Sequence, residues 1–230
     1  MIKQYGNEPL DLGFVDFKAN EMMAYLYLPI KMSKAENALH DDRDRLLRLP
    51  DNLIDYVGII ASATSNAAHH IGYEEFIDNY YVYITAKTLW VEPGCPGNRP
   101  GFHVDGYGSN GDLSYIWYDM NPTEFAIQQF TDIPDDDIQS LAAMEAQTDV
   151  DNLITYPCKH LLRLDESVVH RVGPVEQSGY RTFIKISVSK HRYNLKMNSH
   201  NHEFCYDWNL TDRDDIRNCD NKDFTKPRVG

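Results

Sequence analysis

VVHRVGPVEQSGYRTFIKISVS, residues 168–189, reads as a strand, a turn and a second strand, and it decides the fold. In the second strand Thr182, Ile184, Ile186 and Val188 alternate with Arg181, Phe183, Lys185, Ser187 and Ser189. Side chains two apart on a strand share a face, so one face is apolar and the other largely polar. A strand that turns its polar face inward lines a cleft. The spacing across the turn GPVEQSG lets two antiparallel neighbours put His170 and Arg181 on one side.

Working outward, the texture stays β-rich. YVYITAKTLWV, residues 81–91, is dense in β-branched and aromatic residues and ends in the turn-forming EPGCPGNRPG. Further short strands are expected over residues 102–106, 113–118, 125–130, 153–156 and 160–164. Many short strands separated by turns indicate a sandwich or barrel, mainly β with flanking helices, and not alternating βαβ units. Helix formers fill residues 33–49 up to Pro50. Asp51 is then expected to cap a second helix with Leu53, Ile54, Val57, Ile60 and Ala61 as its apolar stripe. Pro134 announces a short acidic helix presenting Ile138, Leu141 and Ala142, read as an insertion over residues 134–147. Near the start, Phe14-Val15 and residues 24–28 read as strands, with Pro29 as a stop.

A length of 230 residues suits one domain. Its parts would be N-terminal strands and helices (1–80), a β core (81–192) and a polar C-terminal extension (193–230) anchored by Trp208. The net charge of −13 disfavours a general binder of phosphate backbones, which needs a concentrated Lys/Arg surface, and favours a small-molecule substrate. Lys185, Lys190, Arg192 and Lys196 are the one candidate basic strip. Cys95, Cys158, Cys205 and Cys219 form no CxxC pair, and the first residues lack the pattern of a secretion signal. A cytoplasmic location is expected, and no apolar stretch approaches membrane-span length. Oligomeric state is not legible.

His103 and Asp105 are two apart in a segment read as a strand, and so can grip one ion while Val104 packs behind. With His170 they make two imidazoles and a carboxylate, the set that occupies one face of an octahedral Fe(II) and leaves positions open. Arg181 can hold a carboxylate bidentately. His200, His202 and Cys205 form a rival cluster in a polar stretch, read as a solvated surface. His69 and His70 end a helix, where a cationic ring is favourable, and His160 is read as structural. Of the aromatics Trp90, Phe102, Tyr107, Tyr115, Trp117 and Tyr118, most are assigned to the core. Tyr107 and Asn110, in the loop after Asp105, and Trp117 are the substrate-side candidates.

HVD followed by VVHRVGPVEQSGYRTFIKIS resembles the Fe(II)/2-oxoglutarate-dependent dioxygenases over about residues 81–190. The resemblance implies a double-stranded β-helix of the jelly-roll or cupin kind. It implies His103, Asp105 and His170 as iron ligands and Arg181 as partner of the distal carboxylate of 2-oxoglutarate. Family members often carry Ser or Thr two residues after this arginine. Here Phe183 stands there, and Tyr115, Lys185 and Ser187 are the candidates for the second contact. The implied reaction consumes O₂ and 2-oxoglutarate, releases succinate and CO₂, and oxidises a substrate. A carboxylate at position 105 favours hydroxylation over halogenation. Two alternatives stand beside it: a nucleic-acid base hydroxylase or demethylase of the same superfamily, and a non-catalytic cupin-like metal-binding module.

Overall fold

The strand read first, β9 (Gly179–Ser189), lies in the middle of the larger sheet, between β3 (Tyr81–Val91) and β4 (Leu113–Tyr118). The computed structural model describes residues 4–18, 24–34, 46–106 and 109–212. The larger sheet also holds β1 (Leu10–Phe14), β2 (Ala24–Lys31) and β7 (His160–Asp165), in the order β1-β7-β4-β9-β3-β2. A second sheet has the order β6-β5-β8, built from β5 (Thr123–Phe125), β6 (Ile154–Thr155) and β8 (His170–Val172). Every pairing in both sheets is antiparallel. The architecture is the mainly antiparallel β, jelly-roll-like core expected from the sequence.

Alternation along the central strands sorts side chains into two layers. Ile184, Ile186 and Val188 of β9, Val82, Ile84 and Ala86 of β3, and Tyr115 and Trp117 of β4 are buried on the outer face. There they meet Leu53, Tyr56, Ile59, Ile60 and Ala63, from a 3-10 turn (Asp51–Tyr56) and α1 (Val57–Ile71), and Phe76 of α2 (Tyr73–Asn79). Each such Val, Leu or Ile side chain contributes about 1.5–3 kcal/mol on full burial. The opposite face of the same strands looks into the space between the sheets. Ile116, Tyr118 and Phe183 pack there with Phe125, Leu162, Leu164 and Val168.

Several expected elements differ. β2 runs through Pro29 to Lys31, because an edge strand tolerates a missing N–H, and its pairing with β3 is bulged on either side of Leu28 and Pro29. The second helix begins as a 3-10 turn after Pro50 without a side-chain cap, so Asp51 does not cap it. Its buried stripe is Leu53, Tyr56, Ile59, Ile60 and Ala63, whereas Ile54 and Val57 are exposed. The helix expected over 33–49 falls mostly on residues outside those described; residues 46–49 are irregular. Residues 102–106 form a single bridge, His103 with His170, in place of a strand. The strand expected over 125–130 ends at Phe125, and Phe130 instead bridges to Tyr5. The acidic helix is α3 (Asp137–Gln147), capped by the Asp136 side chain on the amides of Ile138 and Gln139, with Leu141 and Met144 buried. The segment after Tyr193 covers the edge of β2: Leu26 and Ser199 exchange two hydrogen bonds, and Asn201 donates to the Pro29 and Arg48 carbonyls. Phe204, Tyr206 and Trp208 pack with Tyr81 and Tyr83.

Lys31 is 1% exposed and points at the end of α2, donating to the carbonyls of Ile77 (2.8 Å), Tyr80 (2.7 Å) and Met32 (3.1 Å). Hydrogen bonds to a charged donor are each worth about 1.5–3 kcal/mol, and unpaired buried carbonyls add a penalty. Lys31→Met is therefore expected to lower stability by about 3–5 kcal/mol in chemical denaturation. A loss below about 1 kcal/mol would show that α2 does not depend on this tether.

Candidate metal centre and its cavity

His103, Asp105 and His170 converge although they arrive by different routes. His170 opens β8, and the paired amides and carbonyls of His103 and His170 (3.0 and 2.9 Å) bring the first loop onto that strand. Asp105 follows in a turn, and Gly106 after it has φ +66°. A Cβ there would lie 2.7 Å from Ser109 Oγ and 3.0 Å from Asp112 Cβ, so only glycine lets the chain double back directly behind the carboxylate. One ligand atom from each of the three residues lies within 4.8 Å of the others, the only such group among the described residues. His200 instead stacks on Tyr206 and meets His202 edge to face, and Cys205 is exposed.

Both imidazoles are held for coordination through Nε2. His103 Nδ1 lies 2.9 Å from the Gly101 carbonyl and His170 Nδ1 lies 3.0 Å from the Val168 carbonyl. A carbonyl only accepts, so each Nδ1 carries the proton and each Nε2 presents a lone pair. Burial lowers the His103 pKa to about 3, helped by His170 and Arg99 and opposed by Asp105 and the Gly101 carbonyl. Burial is also the main cause lowering His170, against Asp105. Two neutral imidazoles at neutral pH are what a divalent metal requires.

Burial alone would raise the Asp105 carboxyl, but Lys185, His170 and His103 outweigh it and hold it far below the usual carboxylate range. The Lys185 ammonium donates to Asp105 Oδ1, and His170 Nε2 stands 3.9 Å from Oδ2. Burial opposes the charged Lys185, yet Asp105 and Tyr27 raise its pKa overall. Around the ligands, Glu145 of α3 accepts from the Phe102 amide (3.0 Å). Arg171 donates to Glu124 (2.7 Å) and stacks 4.4 Å over the Phe102 ring. The helical insertion thereby holds the backbone immediately before His103.

The three residues line a cavity of about 460 Å³. Phe183 and Lys185 of β9, Thr85 and Lys87 of β3, and Ser114 and Ile116 of β4 form its floor. Leu26 and Tyr27 of β2, the Asn98–Arg99 loop, and His191, Tyr193 and Leu195 surround its mouth. Tyr27 sits in the β2 bulge with φ 46°, and its amide donates to Thr85 Oγ1 (3.0 Å).

The structure separates the residues singled out in the sequence. Lys185 stands at the triad. Arg181 lies further along the same face of β9 but is not on the cavity wall. Its Nε donates to the Met120 carbonyl (3.0 Å), and its guanidinium packs 5.1 Å from the Phe183 ring and 6.0 Å from Tyr118. It is 3% exposed, and one terminal nitrogen, Nη2, has no hydrogen-bond partner. Burial lowers its pKa to about 10, against Asp119, so it stays cationic at neutral pH.

Tyr115 and Trp117 correct the sequence reading, because both point out of the sandwich. Tyr115 donates to Asn66 of α1 (3.0 Å), and Trp117 donates to the Val15 carbonyl (3.0 Å) under Phe17. Ser187 is buried on the inner face, paired with Tyr83 and Ser114, but does not reach the cavity. Asn110 is exposed and off the wall, and Tyr107 lies outside the described residues. Lys87 lines the cavity, and the strand pattern marks it. It shares the parity of Tyr83 and Thr85 in residues 81–91 and is the one charged residue of that strand. Arg99, in a Pro/Gly-rich loop, and Tyr193, in a polar extension, carry no such periodic signal.

No family model matches the chain, and no curated protein matches it. Two solved structures of EvdO2 from Micromonospora carbonacea var. aurantiaca are similar at 16% identity, one of them complexed with 2-oxoglutarate. The TM-scores are 0.38 and, for the complex, 0.39, over 60% and 62% of this chain. The matches span 64% and 68% of the EvdO2 chains. Fold and site together define an antiparallel β-sandwich with a His-Asp-His group able to hold a metal ion. Among the described residues no helix is long and apolar enough to cross a membrane.

Proposed function

We propose that this chain is a non-haem Fe(II)- and 2-oxoglutarate-dependent oxygenase that hydroxylates a small or medium-sized organic molecule. The observation that carries the reading is the convergence of two Nδ1-tethered imidazoles and Asp105 on one cavity wall between two antiparallel sheets. That donor set, nitrogen and oxygen on one face with room opposite, fits Fe(II). The partnerless Nη2 of buried Arg181 fits a carboxylate seated on the inner face of β9. Iron and 2-oxoglutarate would together supply the oxidising power, with O₂ consumed and succinate and CO₂ released.

The chain's own residues do the rest. His103 and His170 offer fixed lone pairs because Gly101 and Val168 hold their Nδ1 protons. Lys185 keeps Asp105 ionised and oriented. Arg181 would neutralise the distal carboxylate of 2-oxoglutarate, and the apolar surroundings of Phe183 and Ile116 keep bulk water from that side. Three of the four side chains read as a basic strip are paired with carboxylates. Lys185 is inside the cavity, Lys190 pairs with Glu75 (2.5 Å) and Lys196 with Asp212 (2.6 Å).

Anaerobic titration of the protein with Fe(II) and then 2-oxoglutarate tests the reading. A visible charge-transfer band is expected, and Arg181→Met should weaken 2-oxoglutarate by about 10–100-fold. No band, together with an Arg181→Met protein indistinguishable from wild type, would overturn it. Succinate formation in air would dismiss the non-catalytic module.

Lys185 gives an independent check, since its ammonium competes with a metal for Asp105. Lys185→Met leaves a buried carboxylate unpaired, at a cost of about 3–5 kcal/mol in the metal-free protein. Metal restores the missing charge. The melting temperature should therefore fall without metal and rise more on adding Zn(II) than it does in wild type. An equal or smaller rise would place the metal away from Asp105.

A further inference from the structure

We propose that the aromatic rings between the cavity and the C-terminal extension form a relay that carries oxidising equivalents out of the site to Trp208 at the surface, with Asp112 taking the proton when Tyr193 is oxidised. The inference rests on the oxygenase reading above and adds a protective function to that site.

The packing here differs from that on the other face of the larger sheet. The helix-facing core is mostly Leu, Ile, Val and Ala. The cluster beneath the extension holds five tyrosines and one tryptophan among its eight residues. Aliphatic side chains can fill such a space, but they cannot carry charge. Phenol and indole rings lose an electron far more readily, and rings in contact exchange electrons rapidly.

The rings run without a gap from cavity to solvent. Tyr27 and Tyr193 line the cavity with the triad, and the Tyr27 ring centre is 5.5 Å from the Lys185 ammonium that holds Asp105. Tyr27 and Tyr193 meet edge to face at 5.2 Å, and Tyr193 is stacked 4.4 Å from Tyr83. From Tyr83 the path reaches Trp208 directly at 6.4 Å, or through Tyr81 in steps of 6.0 and 5.9 Å. Tyr81 and Tyr83 are buried, whereas Trp208 and Tyr206, 4.6 Å from it, are partly exposed. These are the separations of packed aromatic pairs.

Tyr193 is the ring at which an oxidised phenol is provided for. Removing an electron makes a phenol a strong acid, so the proton must have somewhere to go. The Tyr193 hydroxyl donates to Asp112 (3.1 Å), a buried carboxylate on the cavity wall. Burial and Asp112 keep the phenol protonated at rest. Tyr83 donates to the His191 carbonyl (2.9 Å), which cannot take up a proton, so it passes an electron on without holding the vacancy.

The electron count closes. In a turnover without substrate, O₂ and 2-oxoglutarate give succinate and CO₂ and leave one oxygen atom to be reduced to water, which needs two electrons and two protons. Each electron leaves Tyr193 as its proton moves to Asp112. An electron drawn from Trp208 through Tyr83 then refills the phenoxyl, and the proton returns from Asp112. A water-soluble enediol or thiol reductant at Trp208 supplies both electrons, and the two protons it releases balance those taken into water.

The test starts from metal-free protein carrying a Ru(II)-polypyridyl photosensitiser on exposed Cys205, next to Tyr206, with the other three cysteines replaced by Ser. A laser flash with a soluble electron acceptor makes a one-electron oxidant at the label. Time-resolved absorption and freeze-trapped EPR should show oxidised Trp208 giving way to a tyrosyl radical. Tyr193→Phe keeps the ring stack and should remove the tyrosyl signal, leaving the oxidised indole. Asp112→Asn should slow the tyrosyl signal about 100-fold. Near-UV circular dichroism of both variants should match wild type and report intact packing. In protein given Fe(II), 2-oxoglutarate and O₂ without substrate, the same Tyr193 signal should be trapped, and Trp208→Phe should inactivate after fewer succinates than wild type. A tyrosyl signal that survives Tyr193→Phe, or that forms as fast in Asp112→Asn, would overturn the proposal. So would succinate formation with no Tyr193 radical. If Tyr193 is oxidised in the metal-free protein while the charge-transfer band and succinate are both absent, the oxygenase reading fails and the relay stands.

Discussion

His170→Ala is expected to abolish specific metal binding, weakening Zn(II) or Fe(II) by about 100-fold or more in calorimetric titration and removing any 2-oxoglutarate turnover. The size of the effect follows from how the site is built. His170 would supply one of three donors, and its backbone also anchors the loop bearing His103. Alanine keeps that backbone pairing, so the loss isolates the imidazole. Asp105→Ala should be worse behaved, because it removes a donor and also strands the buried Lys185 ammonium, at about 3–5 kcal/mol. Adding Lys185→Met to Asp105→Ala should recover most of the stability and none of the metal binding. If His170→Ala binds metal as tightly as wild type, the His-Asp-His group is not the metal centre.

The contrast between these residues shows what was legible in the sequence. β3 and β4 were found at their true limits and β9 within two residues, because long runs of alternating apolar and polar residues report directly on two-sided burial. The alternation in β9 also correctly separated the helix-facing Ile184 and Ile186 from the cavity-facing Phe183 and Lys185. His103 and Asp105 were found for a reason that does not operate here. They share a site because a turn closed by Gly106 returns Asp105 to the bridge at His103, not because they share a strand. Short segments failed where tertiary context decides. Pro29 continues a strand only because β2 is an edge, and the stripe of α1 was displaced by the 3-10 turn ahead of it. Arg99 and Tyr193 reach the cavity through long-range chain paths that no local period encodes.

Trp117→Ala is expected to destabilise the fold by about 3–5 kcal/mol, a fall in melting temperature of about 6–20 °C, while metal affinity stays unchanged below the transition. Trp117 is 0% exposed in the layer between the larger sheet and α1, edge-on to Phe17 at 5.5 Å. Truncation removes that packing and also leaves the Val15 carbonyl without its indole donor. Trp117→Phe separates the two contributions, since it restores much of the volume but not the N–H, and should recover the larger share of the loss. The sequence grouped Trp117 with substrate-facing residues because it is aromatic and close to the triad along the chain. Parity within β4 decides otherwise: Ser114 and Ile116 face the cavity, so Trp117 cannot. A Trp117→Ala protein with a near-normal melting temperature and weakened metal affinity would reverse that assignment, and with it the placement of the helices on the outer face of the sheet.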